Sequence, residues 1–108
     1  MINPKRKKLE HGLVVFISNF LASIDDIRNL ELITVLDAKV SKDKKYIDVH
    51  ITSLNSQKRT DIERETALHK LSLERQIYKN FSMRLKPDIR IKWDSGWNNI
   101  IEIEQQLS

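Results

Sequence analysis

Residues 40–51 have the sequence Val40-Ser41-Lys42-Asp43-Lys44-Lys45-Tyr46-Ile47-Asp48-Val49-His50-Ile51. Polar and apolar side chains alternate from Tyr46 onward, which is typical of a β-strand with one buried face. The polar run from Ser41 to Lys45 separates this strand from a preceding apolar stretch, so it predicts a tight turn that displays lysines. We therefore expect a β-hairpin at this point of the chain.

The alternation extends through both strands of this hairpin. The first strand is predicted over residues 32–40, with one face formed by Leu32, Thr34, Leu36, Ala38 and Val40. The second strand is predicted to bury its alternate apolar residues, Ile47, Val49 and Ile51. Its outward residues are then Tyr46, Asp48, His50 and Thr52. A sheet with one covered face is the expected result.

A third strand is predicted directly after Pro87 and Asp88. Proline has no N–H to donate, and a strand tolerates that loss at its beginning. The residues expected to face the core are Ile89, Ile91 and Trp93. The cations expected to face outward are Arg90 and Lys92.

Helices are predicted on both sides of the hairpin. Residues 5–24 form an amphipathic helix, since apolar side chains recur at steps of three and four at Leu9, Leu13, Phe16, Ile17, Phe20, Leu21 and Ile24. Residues 61–83 change phase too abruptly for one helix, so they predict two helices that meet at a bend near residues 69–72. Thr60 with Glu63 predicts a capping box for the first, and Ser72 predicts the N-cap of the second.

Length and composition indicate one globular domain over residues 1–108. Forty per cent of the residues are apolar and 31 per cent are charged. We expect a basic N-terminal segment at residues 1–8 and an apolar C-terminal strap at residues 95–108, built on Trp97, Ile100, Ile101, Ile103 and Leu107. No apolar run approaches the roughly 20 residues that a membrane helix needs. No signal peptide is apparent either, so a cytoplasmic location is expected.

Positive charge is concentrated in a few segments. The net charge is +4, with 19 basic against 15 acidic residues. Separated basic segments favour an oriented basic face that binds a polyanion, although charge that serves only solubility remains the alternative. The candidate RNA-binding residues are Lys5, Arg6, Lys7, Lys8, Lys42, Lys44, Lys45, Lys70, Arg84, Lys86, Arg90 and Lys92.

The sequence offers little for catalysis. The three histidines lie on different predicted elements and show no metal-ligand spacing, and the chain has no cysteine. His50 beside Asp48 is the best acid–base pair, yet such alternation is more often a solvated sheet face. No glycine-rich phosphate loop is present. We expect no catalytic residues, no metal, no cofactor and no small-molecule substrate.

The predicted order of elements is α-β-β-α-α-β, an α+β arrangement that matches the type II KH topology. It implies a three-stranded mixed sheet packed on helices. KH domains hold nucleotides with a GXXG loop between the paired helices. The glycines of this chain are Gly12 and Gly96, so the predicted helix pair has no such loop. Lys70, near the predicted bend, is the candidate to replace that loop with charge, and the equal alternative is that it is only a solvated helix residue.

Several segments resemble the ribosome-binding factor A family, whose KH-like domain also lacks GXXG. Ser41-Lys42-Asp43 followed by Tyr46 is similar to the family's Ser-Arg-Asp-Leu-x-Tyr turn, with lysine in place of arginine. Residues 87–94 are similar to its Pro-Glu-Leu-x-Phe-x-Tyr-Asp strand. Where the family bends its helix pair at Ala-x-Gly, this chain has His69-Lys70-Leu71.

The resemblance implies a function without covalent chemistry. Proteins of this family bind immature small (30S) ribosomal subunits and their 16S rRNA, assist late rRNA processing and maturation, and matter most in the cold. A cytoplasmic monomer is expected. The alternative is an RNA-independent protein–protein adaptor that uses the apolar tail and a helix surface, and a small hydrolase is a more distant third.

Overall fold

A computed structural model describes residues 4–30, 32–53 and 56–94 of the chain. Their helices and strands follow one another as α1 (Pro4–Ser23), α2 (Asp25–Leu30), β1 (Thr34–Val40), β2 (Tyr46–Thr52), α3 (Arg59–Leu68), α4 (Lys70–Asn80) and β3 (Asp88–Trp93). A short 3-10 turn, Ser56–Lys58, precedes α3. Apart from the short helix α2, this is the predicted order.

The three strands form one mixed sheet in the order β1-β2-β3. The hairpin partner β1 is antiparallel to β2, and β3 lies parallel to β2 on the other side. A parallel neighbour requires a crossover connection, which α3 and α4 supply. The predicted mixed sheet with a helical crossover is therefore confirmed.

The core lies between one face of the sheet and the helices. Its fully buried side chains include Leu13 and Ile17 from α1, Leu73 and Ile77 from α4, and the inward residues of the strands, which are Ile47, Val49, Ile51 and Ile89. These strand residues are the ones that the alternation predicted to face inward. Ile91 and Trp93, also predicted inward, pack against the core while partly exposed.

The predicted register of β1 is wrong in its first half. The pairing with β2 shifts between Val35 and Asp37, which marks a β-bulge. A bulge adds one residue and therefore exchanges the two faces on one side of it. As a result Val35 is buried, whereas Leu36 and Leu32 are exposed to 39% and 79%. Ala38 and Val40, beyond the bulge, are buried as predicted.

Three smaller predictions are also wrong. Thr52, expected to face outward, is buried at the end of β2. The Thr60–Glu63 capping box is absent, because α3 begins at Arg59, two residues before the predicted start at Asp61, and Glu63 instead accepts a hydrogen bond from Arg59 Nε at 2.6 Å. Ser72 does not cap α4, which begins at Lys70.

The predicted bend in the helix pair is confirmed at His69. This residue separates α3 from α4, and its N–H still donates to the carbonyl oxygens of Glu65 and Thr66. Without glycine, the chain therefore bends by ending one helix and starting another at a residue of ordinary backbone conformation. The predicted apolar strap at residues 95–108 lies outside the described residues. Among the described residues, no helix combines the length and apolar character that spanning a bilayer requires.

Candidate nucleic-acid interface

Side-chain hydrogen bonds hold the turn between β1 and β2 in one shape. The Ser41 hydroxyl donates to Asp43 Oδ1 at 2.7 Å, and the Lys45 N–H donates to the same oxygen at 3.0 Å. These two hydrogen bonds keep the pKa of Asp43 below its ordinary value. Lys44 adopts a φ of 60°, in the left-handed region that residues other than glycine rarely adopt. The turn thus presents its lysines from a fixed backbone.

Glu10 fixes the basic start of α1 beside this turn. Its Oε2 accepts a hydrogen bond from the Val40 N–H at 2.7 Å, at the end of the edge strand β1. The first turns of α1 therefore lie against residues 40–44. Together they enclose a depression of about 230 Å³ lined by Lys5, Arg6, Leu9, Val40, Lys42 and Lys44.

The end of α4 reaches the same region through an aromatic contact. The rings of Phe16 and Phe81 meet edge to face, with their centroids 5.5 Å apart. This contact places the loop after α4 next to the hairpin turn, where Lys42, Lys44 and Arg84 line an adjoining depression of about 370 Å³. We call the two depressions together the basic cleft, formed by Lys5, Arg6, Lys42, Lys44 and Arg84.

Among the described residues, no carboxylate lies within ion-pair distance of the side chains of Arg6, Lys42, Lys44 or Arg84, or of the neighbouring Lys7, Lys8 and Lys45. The one carboxylate in the turn, Asp43, is held by the Ser41 hydroxyl and the Lys45 N–H. The cleft is therefore a site of converging cations that an external anion can neutralise.

The cations on the outer face of the sheet, unlike most of those in the cleft, are paired with a carboxylate. Arg90 donates through Nε and Nη2 to both carboxylate oxygens of Asp48, at 2.6 and 3.1 Å, and Lys92 Nζ lies 3.7 Å from the same group. The hydrogen bond from Arg90 is the main reason that the pKa of Asp48 is lowered. Arg90 also stacks on Tyr46, 4.6 Å from its ring centroid. Both cations face outward as predicted, but Asp48 offsets one of their two positive charges.

Lys70 and Lys86 are also paired within the protein. Lys70 Nζ lies 2.8 Å from Asp88 and 3.9 Å from Glu74, while Lys86 Nζ lies 3.8 Å from Glu74. The hydrogen bond between Lys70 and Asp88 lowers the pKa of Asp88 and raises that of Lys70. Lys70 therefore ties the start of α4 to the start of β3 rather than projecting alone at the bend.

The acid–base pair that the sequence suggested does not form. His50 Nδ1 lies 2.5 Å from Asp37 of β1, and not from Asp48, whose carboxylate is bound by Arg90. Among the described ranges, no three potential metal ligands cluster together. These groups form cross-strand contacts on a partly exposed sheet face, a hydrogen bond between His50 and Asp37 and an ion pair between Arg90 and Asp48.

The structure thus divides the twelve candidate cations. It brings Lys5, Arg6, Lys42, Lys44 and Arg84 together at the basic cleft, and it pairs Lys70, Lys86, Arg90 and Lys92 with carboxylates. Lys7, Lys8 and Lys45 line neither of the two depressions. Sequence reasoning missed two carboxylates that position these elements. Glu10 is half-buried and holds α1 against β1, and Glu74 is buried and holds α4 against β3. An acidic residue on the apolar side of a helix was the available signal at both positions.

Comparison with known proteins agrees with this architecture. The profile of the family described as Ribosome-binding factor A matches residues 5–107. A relative of that name from Fervidobacterium nodosum is 32% identical over 108 residues, covering 95% of this chain and 86% of the relative. Another from Methylocella silvestris is 32% identical over 78 residues, covering 72% of this chain and 50% of the relative.

Solved structures share the fold. The crystal structure of ribosome-binding factor A from Thermus thermophilus superposes with a TM-score of 0.70 at 19% identity, covering 82% of this chain and 93% of that one. The solution structure of a putative ribosome binding factor A from Thermotoga maritima gives a TM-score of 0.68 at 23% identity, covering 89% and 94%. The α+β fold is therefore KH-like, and the chain belongs to the ribosome-binding factor A family, whose members are ribosome-associated factors.

Proposed function

We propose that this protein binds immature small (30S) ribosomal subunits through their 16S rRNA and assists late rRNA processing and maturation without catalysis. It acts in the cytoplasm as a monomer. The observation that carries the proposal is the basic cleft, where cations from three separate segments of the chain converge. Its role would be most needed in the cold, when misfolded RNA helices rearrange slowly.

The cleft suits a folded RNA surface better than a splayed single strand. KH domains that clamp nucleotides bring two backbones close at GXXG, whereas the helix junction here is His69-Lys70. Lysine and arginine side chains instead neutralise phosphates, which positions a protein on RNA without recognising its sequence. Binding of this kind shifts an rRNA folding equilibrium only by the difference in affinity for the two conformers.

The four cations already paired with carboxylates are proposed to contribute less. A phosphate that approaches Arg90 or Lys92 has to compete with Asp48, and one that approaches Lys70 has to compete with Asp88. We therefore rank Lys42, Lys44 and Arg84 first among the RNA-binding residues, together with the basic start of α1.

Sedimentation of cell extracts tests the proposal directly. The protein is expected to comigrate with free small subunits and not with translating ribosomes. Lys42→Gln is expected to shift it toward the top of the gradient, and Lys92→Gln, which removes the same charge from the sheet face, is expected to shift it less. A protein that never sediments with small subunits would rule the proposal out.

Salt dependence measures how much of the affinity comes from phosphate contacts. If the five cleft cations each neutralise one phosphate, log K falls with log salt at a slope of roughly −3 to −5. Removing the charge of Lys42 is expected to reduce the magnitude of that slope by about 1, the value for one lost phosphate contact. A slope near zero for the unmodified protein would contradict an electrostatic interface.

One observation favours the protein–protein adaptor as a second candidate. Leu68 is 70% exposed and Leu71 is 46% exposed beside the bend of the helix pair, and Tyr78 is 40% exposed on α4. Exposed apolar side chains of this kind contribute to protein contacts more than to phosphate binding. A soluble peak that carries no RNA on the gradient would favour this second function.

A further inference from the structure

The side of α4 that faces away from the core carries a regular set of exposed residues. The opposite side is held in the core by Leu73 and Ile77, which are fully buried. Spacings of three and four residues place side chains next to one another on a helix surface. The exposed residues related by these spacings are Leu71, Arg75, Tyr78 and Lys79. One face of α4 therefore combines two apolar with two basic side chains.

Leu68, the last residue of α3, extends this face across the bend. Helical hydrogen bonds continue through the junction, since the His69 N–H donates to the Glu65 carbonyl at 3.3 Å and the Leu73 N–H donates to the His69 carbonyl at 3.0 Å. Leu68 precedes Leu71 by three residues and therefore stays on the same side. Its side chain is 70% exposed. We define the helix-pair stripe as Leu68, Leu71, Arg75, Tyr78 and Lys79.

The two basic residues of the stripe are not neutralised by the described part of the chain. Within residues 4–30, 32–53 and 56–94, no carboxylate lies within ion-pair distance of Arg75 or Lys79. Glu74 is the one carboxylate of α4, and it is buried against β3, where it accepts the Ile89 N–H. The stripe therefore exposes two positive charges that an acidic partner can neutralise.

The apolar members of the stripe decide which kind of partner fits. Folded RNA presents phosphates, which pair with the cations but leave Leu68 and Leu71 in contact with water. Protein interfaces instead combine apolar side chains with tyrosine and arginine, which are enriched there. A second copy of this chain fits poorly, because it brings its own Arg75 and Lys79 to the contact and like charges oppose association. The stripe is therefore complementary to an acidic protein surface that has apolar residues of its own.

We propose that the helix-pair stripe binds an acidic amphipathic helix of a partner protein. A helix that lies along α4 presents its side chains at the same steps of three and four. Its apolar side chains cover the leucines and the tyrosine, and its carboxylates pair with Arg75 and Lys79. From Leu71 to Lys79 the stripe is about 12 Å long, so about two to three turns of a partner helix are enough to cover it.

The stripe shares no residue with the basic cleft. The inference rests on the second candidate function, for which it names the partner, and it does not depend on rRNA binding by the cleft. Loss of the partner and loss of rRNA binding are therefore separate results, and each can be measured without the other.

Photo-crosslinking in cells tests which molecule contacts the stripe. Benzoylphenylalanine, a photoreactive amino acid, replaces Leu71 in one chain and Val15, a similarly exposed apolar residue of α1, in a control chain. We expect the probe at position 71, and not the one at position 15, to crosslink to a protein segment rich in aspartate and glutamate. Adding Arg75→Glu to the first chain should remove that crosslink. A crosslink to RNA, to a second copy or to a protein segment without acidic residues would overturn the proposal, as would no crosslink above the control.

A peptide synthesised from the crosslinked segment tests the role of charge. The double variant Arg75→Glu, Lys79→Glu should bind this peptide at least about tenfold more weakly. A second peptide, with lysine at each acidic position, should bind the double variant more tightly than the unmodified protein. Equal affinity of the unmodified protein and the double variant for the first peptide, or no such reversal with the second, would overturn the proposal.

A matched control separates a local effect from a change in net charge. The variant Lys39→Glu, Lys58→Glu reverses two exposed charges outside both the stripe and the cleft, and should leave binding of the first peptide nearly unchanged. Binding of 16S rRNA should be reduced no more by Arg75→Glu, Lys79→Glu than by this control. If the control weakens peptide binding as much as the stripe variant does, the contact is not at the stripe and the proposal fails.

Discussion

At the scale of single residues, Lys44 combines an unfavourable backbone with a useful position. Its φ of 60° costs about 1 kcal/mol for a residue with a Cβ, and the hydrogen bonds of Ser41 and Asp43 hold it there. Its side chain lines the basic cleft from both depressions. A lysine at a position that favours glycine or asparagine is consistent with selection for charge rather than for stability.

This conflict predicts opposite effects on stability and binding. Lys44→Gly is expected to leave the free energy of unfolding unchanged or to raise it by up to about 1 kcal/mol, while small-subunit binding weakens. Lys45→Gly removes the same charge at a residue whose φ is not positive. It should therefore lower the free energy of unfolding by about 0.4–1 kcal/mol. Chemical denaturation of both variants checks the contrast. Destabilisation by Lys44→Gly would show that the side chain itself supports the turn.

The lowered pKa of Asp48 predicts a pH dependence. Its hydrogen bond from Arg90 holds the pKa below the ordinary value of 3.8. The ionised form therefore stabilises the fold above that value, and the contribution is lost as the pH falls through the folded-state pKa. The free energy of unfolding, measured between pH 5 and pH 2, should fall less steeply with decreasing pH in Asp48→Asn than in the unmodified protein. Identical pH profiles would contradict the ion pair.

At the scale of helices and strands, Glu74 holds α4 and β3 together. It accepts the Ile89 N–H, and Lys70 and Lys86 lie on either side of its carboxylate. A buried carboxylate normally raises the free energy of the folded state unless it is hydrogen-bonded and paired. Here both conditions are met, so the group fixes the start of β3 relative to the helix pair.

Replacing Glu74 separates these contributions. Glu74→Leu leaves the Ile89 N–H without an acceptor and removes the partner of two lysines, so we expect a loss of about 1–3 kcal/mol in the free energy of unfolding. Glu74→Gln retains an oxygen acceptor and should lose less. Urea denaturation gives both values. A fully stable Glu74→Leu variant would mean that β3 is held by its pairing with β2 alone.

Periodicity predicted the elements whose pattern is regular over their full length. It placed α1, β2 and β3 because their apolar residues recur without interruption. It failed at β1, since a bulge at Val35–Asp37 shifts the faces without leaving a turn residue as a signal. It also missed α2, whose six residues are too few for a helical period to be visible. The false caps at Thr60 and Ser72 followed from motifs that occur inside helices as well as at their ends.

Ser72 lies inside α4 and not at its N-cap. Its hydroxyl accepts only a long hydrogen bond from Gln76 Nε2, at 3.4 Å, on the exposed side of α4. Ser72→Ala should therefore not destabilise the protein, and the higher helix propensity of alanine should stabilise it by a few tenths of a kcal/mol. A loss near 1 kcal/mol in thermal or chemical unfolding would restore the capping role.

At the scale of the whole molecule, the distribution of charge could not be inferred from the sequence. Asp48 and Arg90 lie 42 positions apart, and their pairing follows from the parallel register of β2 and β3. The sequence therefore identified which cations could bind RNA but not which of them are already neutralised. The order of the predicted elements and the family resemblance both indicated the KH-like fold, whereas only the tertiary contacts separated the cleft from the sheet face.

The basic cleft is formed by residues 5–6, residues 42–44 and Arg84, which only the folded chain brings together. The unfolded chain keeps the same charges but loses their arrangement, so a ligand of the cleft binds the native state in preference. A 16S rRNA fragment at about 100 times its Kd should then stabilise the protein by about 2.7 kcal/mol. Thermal melts at increasing RNA concentration should show a rising Tm in the unmodified chain and a smaller rise in Lys42→Gln. The subunit that this protein is proposed to help mature would, in return, protect it from unfolding for as long as the two stay bound.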